Sequence, residues 1–167
     1  MRESAADLEE LQRLIDRSYA GAGRQLLEIH TPERRLRADQ VAERLQGVCL
    51  LSLATVTGDG LPRSNPVDGI FYRGAFHFGT SPDALRWRHL VARPQVSATH
   101  VPSESLAITV HGRAVPVPID PERGGGFRQL LLDIYTPRYG TEWTEFLDSG
   151  PVYARIDAEQ MFAFAAT

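Results

Sequence analysis

The stretch that decides the fold is Arg63-Ser-Asn-Pro-Val-Asp-Gly-Ile-Phe-Tyr72, followed by Arg73-Gly74 and then by Ala75-Phe-His-Phe-Gly-Thr80. Two β-rich runs joined by a two-residue turn that ends in glycine predict a β-hairpin. A third β-rich run, Cys49 to Val56, lies upstream, and Asp59-Gly60 supplies a turn between it and Arg63. The three runs therefore predict an antiparallel meander.

Further β-rich runs follow the meander at Gln95 to Val101, Ser105 to Val117 and Pro151 to Phe164. Six antiparallel strands with helices outside them favour a small barrel, because closing the sheet removes the exposed edges of an open meander. The fold class predicted here is mainly β with flanking helices, as a six-stranded antiparallel β-barrel.

The first 47 residues are predicted to be helical. Leu8, Leu11 and Ile15 recur at spacings of three and four, and Val41 with Leu45 repeats this pattern before Gly47. We therefore expect a helical N-terminal extension over residues 1–47 and the barrel over residues 48–167, within a single domain.

The composition is that of a soluble globular protein. The 167 residues include 18 basic and 21 acidic side chains, and 43% are hydrophobic. The uncharged apolar stretch Val48 to Val56 is far shorter than the roughly 20 residues of a membrane-spanning helix. Residues 1–10 show no secretory apolar region, and the lone Cys49 cannot close an intramolecular disulfide. We expect a cytoplasmic protein without a membrane partner.

All 18 basic residues are arginine. The absence of lysine excludes a Walker-type phosphate loop, a Schiff-base enzyme and a Ser-Lys hydrolase, each of which needs a lysine amine. The acidic balance argues against a nucleic-acid-binding protein, which requires a basic surface. Any phosphate must be held by arginine, backbone N–H groups or hydroxyls, and the planar guanidinium suits such contacts.

Other motifs point to no site. Gly21-Ala-Gly23 lacks the third glycine of a dinucleotide fingerprint, and no strand precedes it. The five histidines include no i, i+4 pair and have no cysteine partners, so we expect no metal site. No Gly-x-Ser-x-Gly elbow is present. Trp87 and Trp143 are interpreted as core or interface residues.

An anion site is predicted after the hairpin. Ser81-Pro82-Asp83 has the residues of a helix start, with serine as N-cap and proline at the first helical position. The N–H groups of that helix, the hydroxyls of Ser64 and Thr80, and Arg86 would converge on one phosphate. Spacing alone leaves open the alternative that the arginines of this region are solvated surface charges.

Seven short pieces, taken in their order and spacing, resemble the pyridoxamine 5′-phosphate oxidase-related family of flavin and deazaflavin oxidoreductases. The pieces are Leu51-Ser-Leu-Ala-Thr-Val56, Asp59-Gly-Leu-Pro62, Asn65-Pro-Val67, Phe76-His-Phe-Gly-Thr80, Arg86-Trp-Arg-His-Leu90, Arg93-Pro-Gln-Val96 and Val110-His-Gly-Arg-Ala114. The resemblance covers about residues 38 to 117. It implies a split barrel that dimerises, with a flavin phosphate near the Ser81 helix and the flavin ring in a groove between subunits.

The resemblance also implies cofactor-binding residues. Those expected to line the ring and ribityl chain are Arg63, Ser64, Asn65, Pro66 and Val67, and those expected at the phosphate are Phe78, Gly79, Thr80, Ser81 and Arg86. Arg86 stands where the family usually has lysine, and Ala84 replaces a polar or basic residue. Arg88 is a weaker candidate, since its helical direction differs from that of Arg86 by about 160°.

The predicted function is that of an FMN-dependent oxidoreductase that transfers a hydride to or from a small conjugated or aromatic substrate. The cofactor carries the difficult chemistry in such enzymes, so no catalytic acid or base is nominated. Three alternatives stay open: a deazaflavin-dependent reductase, a module that binds flavin or haem without turnover, and an empty scaffold that acts through partner proteins. A haem ligand would come from His77, His100 or His111.

A homodimer is predicted from the fifth β-rich run. Leu106, Ile108 and Val110 alternate with Ala107 and Thr109, so the run is apolar or small on both faces. One face must then be covered by something other than the core of its own chain.

Overall fold

The computed structural model describes residues 2–166, in which six antiparallel strands close into a barrel. The strands are β1 (Val48–Val56), β2 (Pro62–Tyr72), β3 (Ala75–Thr80), β4 (Gln95–Ser103), β5 (Leu106–Val117) and β6 (Val152–Ala165). Around the barrel they follow the order β1-β2-β3-β6-β5-β4. The predicted fold class and all six predicted strands are confirmed, and each strand end lies within two residues of its predicted position.

The hairpin between β2 and β3 has the geometry that its turn residues require. Tyr72 pairs with Ala75, and the two residues between them both have positive φ, 50° at Arg73 and 76° at Gly74. Two consecutive left-handed residues are the mark of a type I′ turn, whose twist matches that of the flanking strands. The turn fixes the register in which Gly69 lies opposite Phe78.

The N-terminal helices lie outside the barrel, and the first of them packs on β6. They are α1 (Ala5–Ala20), α2 (Arg24–Ile29), a 3-10 turn (Pro32–Arg34) and α3 (Ala38–Arg44). Ser18 at the end of α1 accepts a hydrogen bond from the Met161 N–H at 2.9 Å, and the Tyr19 hydroxyl donates to the Ala163 carbonyl at 3.0 Å. The predicted helical character of this region is confirmed.

A helix, α4 (Leu85–Ala92), follows β3, but the predicted N-cap at Ser81 is wrong. Ser81 opens a turn instead: its carbonyl accepts from the Ala84 N–H at 3.1 Å and its hydroxyl accepts from the Asp83 N–H at 3.2 Å. Serine competes with helix formation through such local bonds. Helix α4 therefore begins three residues later than predicted, at Leu85 rather than Pro82.

Two helices between β5 and β6 form the α5–α6 hairpin, made of α5 (Gly125–Tyr139) and α6 (Glu142–Asp148). Their buried leucines, Leu130, Leu131 and Leu147, join a second apolar cluster beside the main barrel core. The hairpin is thereby held against the barrel wall. None of the helices described between residues 2 and 166 is long and apolar enough to span a membrane.

Candidate functional site

A cavity of about 290 Å³ lies where the middle of β2, the end of β3 and the start of β6 meet the α5–α6 hairpin. We call it the Arg86 cavity. Its walls are formed by Pro66, Val67, Asp68, Ile70, Gly79, Thr80, Ser81, Arg86, Tyr135, Trp143, Phe146, Pro151 and Tyr153. The volume is at the lower end of the range for small-molecule sites, roughly 300–1,000 Å³.

Strand pairing brings together the residues of β2, β3 and β6 that line the Arg86 cavity. β2 lies beside β3, and β3 ends with Thr80 paired to Val152 of β6. Gly79 makes room for the aromatic ring beside it, because a Cβ atom at this position would lie 2.7 Å from Cζ of Tyr153. A glycine is therefore required here for Tyr153 to reach the cavity wall.

Arg86 is the cation of this cavity. It is the second residue of α4 and is partly buried, and its Nε atom is buried without a hydrogen-bond partner. Within residues 2–166 no carboxylate forms an ion pair with it. Burial lowers the pKa of the Arg86 guanidinium, since desolvation disfavours its charge. An anionic ligand in the cavity would relieve both the unmade hydrogen bond and the uncompensated charge.

Aromatic side chains of the α5–α6 hairpin form the opposite wall. The rings of Tyr135 and Trp143 stack with centroids 4.3 Å apart, and Trp143 lies 4.8 Å from Phe146. The indole Nε1 of Trp143 is buried and has no hydrogen-bond partner. Two residues that line the cavity, one from α4 and one from α6, thus each carry a buried N–H donor without a partner.

The remaining polar groups of the cavity form one small network. The Tyr135 hydroxyl donates to Oδ2 of Asp68 at 3.0 Å. Burial raises the pKa of Tyr135, and the negative charge of Asp68 raises it further. Burial also raises the pKa of Tyr153 to about 12, again with a contribution from Asp68. Both phenols are therefore neutral near pH 7, and the Tyr135 hydroxyl acts as a hydrogen-bond donor.

A second depression, the strand groove, lies on the outer face of β1, β2 and β4. Its volume is about 330 Å³, and it is lined by Leu50, Leu51, Ser52, Ser64, Asn65, Pro66, Thr99 and Val101. The hydroxyls of Ser52 and Ser64 are hydrogen-bonded across β1 and β2 at 2.8 Å. Pro66 lines both the strand groove and the Arg86 cavity, so the two depressions adjoin.

The structure places most of the predicted cofactor-binding residues in these two depressions. Those in the Arg86 cavity are Pro66, Val67, Gly79, Thr80, Ser81 and Arg86, and those in the strand groove are Ser64, Asn65 and Pro66. Phe78 lies in the barrel core and is 1% exposed. Arg63 and Arg88 are exposed and line neither depression.

The predicted contribution of a helix N-terminus at Ser81 requires correction. The Asp83 and Ala84 N–H groups are bonded within the local turn, and α4 starts beyond them. An anion at this position would therefore be bound by side chains, chiefly Arg86 and the hydroxyls of Thr80 and Ser81.

Sequence reasoning missed the hairpin wall of the cavity. The wall residues Tyr135, Trp143 and Phe146 form a series with Tyr139 at spacings of four, four and three, which would place all four on one side of a continuous helix. That spacing is the signal that could have identified them as a set. It does not show which strand they meet, and Trp143 was assigned to a core or interface.

The histidines are engaged elsewhere. Nδ1 of His100 lies 2.9 Å from the Leu50 carbonyl, and Nδ1 of His111 lies 2.8 Å from the Ser97 hydroxyl. Burial lowers the pKa of His77 to about 4. In the part of the chain that the structure describes, no group of three or more His, Cys, Asp or Glu side chains is placed to hold a metal ion.

Comparisons with known proteins identify the fold. No protein-family model matches the sequence, and no curated protein matches it. Among solved structures, the conserved hypothetical protein Rv2991 from Mycobacterium tuberculosis superposes with a TM-score of 0.65 at 17% identity, over 81% of this chain and 89% of its own. A putative pyridoxamine 5′-phosphate oxidase from Listeria innocua gives 0.58 at 16% identity, over 75% of this chain and 95% of its own. The chain is a split barrel.

Other split barrels carry names that refer to different cofactors. HutZ, the heme storage protein from Vibrio cholerae, superposes with a TM-score of 0.58 at 21% identity, over 75% of this chain and 93% of its own. An F420 reductase and an FAD-binding protein from Mesorhizobium loti also share the fold, at 22% and 20% identity. The fold implied by the sequence resemblance is confirmed, and the cofactor has to be inferred from the site.

Proposed function

We propose that this split barrel binds FMN and acts as an oxidoreductase on a small conjugated or aromatic substrate. The observation that carries the proposal is the junction at Pro66 between a cavity with an uncompensated arginine and an open groove lined by hydroxyl and amide side chains. FMN has a phosphate at one end, which matches the cavity with the arginine, and a planar ring at the other, which matches the open groove. When bound, the flavin would supply the hydride chemistry.

The residues present fit the phosphate end of such a cofactor. Arg86 supplies a charge without a carboxylate partner among the described residues, and charge-assisted hydrogen bonds are the strong ones in a partly buried site. The hydroxyls of Thr80 and Ser81 lie on the same cavity. Their part is to bind and orient the phosphate, whereas Ser64 and Asn65 line the groove that would hold the ring.

The size of the Arg86 cavity supports a homodimer. At about 290 Å³ it encloses only part of a flavin nucleotide, so the ring would extend into the open strand groove. Leu50 and Val101 on that groove are 65% and 57% exposed, and small side chains such as Ser52 and Thr99 lie between them. A second copy of the chain would cover these apolar side chains and close the groove over the ring.

Ligand titration tests the proposal. The purified chain, stripped of cofactor, is mixed with FMN, riboflavin, the deazaflavin coenzyme and haem, and binding is followed by absorbance and tryptophan fluorescence. We expect saturable FMN binding at one molecule per chain, at least 10-fold tighter than riboflavin binding. A Soret band without flavin binding would replace the proposal with a haem-binding module, and binding of no chromophore would favour a scaffold.

Activity and assembly are tested separately. Reduction of bound FMN by a nicotinamide nucleotide, followed by reoxidation with a quinone, would show oxidoreductase chemistry. Sedimentation at micromolar concentration should give a dimer, and a single 18.5 kDa species would contradict the shared groove. We also propose a cytoplasmic location, in keeping with the buried free thiol of Cys49.

A further inference from the structure

Trp143 has a buried indole N–H that no acceptor satisfies. A buried donor left without a partner costs stability, and native structures contain few of them. The same side chain lines the Arg86 cavity, where the Nε atom of Arg86 is also unpartnered. Two unmet donors around one cavity indicate a ligand group with several acceptor lone pairs.

The indole is held firmly in place. Tyr135 stacks on it at 4.3 Å and Phe146 lies 4.8 Å away, so its N–H cannot readily turn towards another acceptor. The Arg128 guanidinium ties the two helices together by donating to Oδ1 of Asp148 at 2.8 Å and to the Ile119 carbonyl at 2.7 Å. A donor fixed in this way is suited to binding a ligand, because little freedom is lost when the ligand arrives.

We propose that Trp143 is a phosphate-binding residue, whose indole N–H donates a hydrogen bond to the same phosphate group that Arg86 binds. The inference rests on the proposed binding of FMN and extends it to the α5–α6 hairpin. Phosphate is the appropriate group because its oxygens accept several hydrogen bonds at once and its charge complements the Arg86 guanidinium.

The carboxylate of Asp68, which also lines the cavity, would repel a bound anion, but two features weaken this repulsion. Its carboxylate already accepts a hydrogen bond from the Tyr135 hydroxyl, and the side chain is exposed to water. Charges in contact with solvent are screened by water and salt. The donors Arg86 and Trp143, by contrast, are partly shielded, so their interaction with a phosphate is screened less.

Binding must also displace some of the surroundings of the two donors, since both nitrogens are covered by neighbouring atoms. A phosphate reaches them only when the atoms that cover the two nitrogens shift aside. The emission of Trp143 is therefore expected to change when FMN binds.

The decisive variant is Trp143→Phe, which removes the N–H and keeps an aromatic ring in the stack. The matched control is Trp87→Phe, because Trp87 lines a different cavity and the chain contains two tryptophans in all. A third variant, Trp143→His, returns a ring N–H and is measured at pH 8, where imidazole is neutral. Affinities for FMN and riboflavin are measured by calorimetry, and circular dichroism confirms folding.

We expect Trp143→Phe to weaken FMN binding by about 10-fold and to leave riboflavin binding within 2-fold. Trp87→Phe should change neither affinity by more than about 2-fold, and Trp143→His should recover part of the FMN preference. Unchanged FMN affinity in Trp143→Phe would overturn the inference, as would equal losses for FMN and riboflavin, or equally weak FMN binding by the Phe and His variants.

The proposed function fails in a different way. If the unaltered protein binds FMN no more tightly than riboflavin, phosphate recognition in this cavity is absent and both proposals fall. If it prefers FMN and Trp143→Phe keeps the full preference, only the role of Trp143 is lost.

Discussion

Replacing Arg86 with alanine should separate cofactor binding from folding stability. In residues 2–166 the Arg86 side chain forms no ion pair, and its Nε has no hydrogen-bond partner, so few interactions of the unliganded protein depend on it. Removing a partly buried charge of this kind should change the free energy of unfolding by less than about 1 kcal/mol. Any larger effect of the substitution should then be on the affinity for FMN.

The size of that effect follows from the contact that is lost. A hydrogen bond between a guanidinium and a phosphate contributes about 1.5–3 kcal/mol, which corresponds to a loss of affinity of about 10- to 150-fold. FMN at 100 times its dissociation constant stabilises a protein by about 2.7 kcal/mol. At the same FMN concentration, Arg86→Ala should retain only about 0.3–1.4 kcal/mol of this stabilisation.

Chemical denaturation with and without FMN measures both quantities in one assay. Riboflavin provides the ligand control, since it lacks the phosphate and should stabilise the wild type and Arg86→Ala equally. Arg88→Ala provides the protein comparison: Arg88 is exposed and lies outside the Arg86 cavity, so FMN affinity should stay within about 2-fold. Equal FMN stabilisation of wild type and Arg86→Ala, or a loss in Arg88→Ala instead, would refute the placement of the phosphate.

Three other substitutions test the surroundings of the site. Asp68→Asn keeps an acceptor for the Tyr135 hydroxyl and removes a negative charge, so FMN affinity measured by calorimetry should rise by about 2- to 5-fold while riboflavin affinity stays constant. The pKa of His77 is lowered to about 4 by burial, whereas an unfolded histidine has a pKa near 6.5; protonation therefore favours the unfolded chain as pH falls through this window. Between pH 7.5 and pH 5, the free energy of unfolding measured with urea should fall by about 2 kcal/mol less in His77→Phe than in the wild type. An equal fall in both proteins would contradict a lowered pKa for His77. Gly79→Ala would bring a Cβ to 2.7 Å from the buried Tyr153 ring, so it should cost about 1–3 kcal/mol in thermal or urea denaturation and weaken FMN binding; an unchanged melting temperature would show that the ring moves freely.

Local chemistry explains why the barrel could be predicted from the sequence. Alternating side chains define a strand, and Arg73-Gly74 sets both the turn and the register of the hairpin that follows. The same reasoning failed at Ser81, where two competing local patterns use the same residues. A serine before proline can cap a helix or open a turn, and here Ser81 opens a turn.

The site was predictable only along the strands that contribute to it. Pro66, Thr80 and Arg86 come from one continuous strand-strand-helix unit, so short-range spacing brings them together. The aromatic residues of the α5–α6 hairpin, by contrast, are far in sequence from the strands they meet. Tyr135 donates a hydrogen bond to Asp68, which lies 67 positions earlier in the chain. Helical periodicity identifies the aromatic face of such a segment but not the surface against which it packs.

Phosphate recognition in this chain would therefore have two origins. The end of β3 and the start of α4 supply a hydroxyl and a charge through Thr80 and Arg86, and the hairpin supplies an aromatic wall and an N–H donor through Trp143. The position of Trp143 depends on the contacts that hold the α5–α6 hairpin in place. The largely buried Arg128 guanidinium provides two of them by donating hydrogen bonds to Asp148 and to the Ile119 carbonyl. Arg128 lies outside the strands and does not line the Arg86 cavity, so phosphate binding would then also depend on a residue that does not contact the ligand.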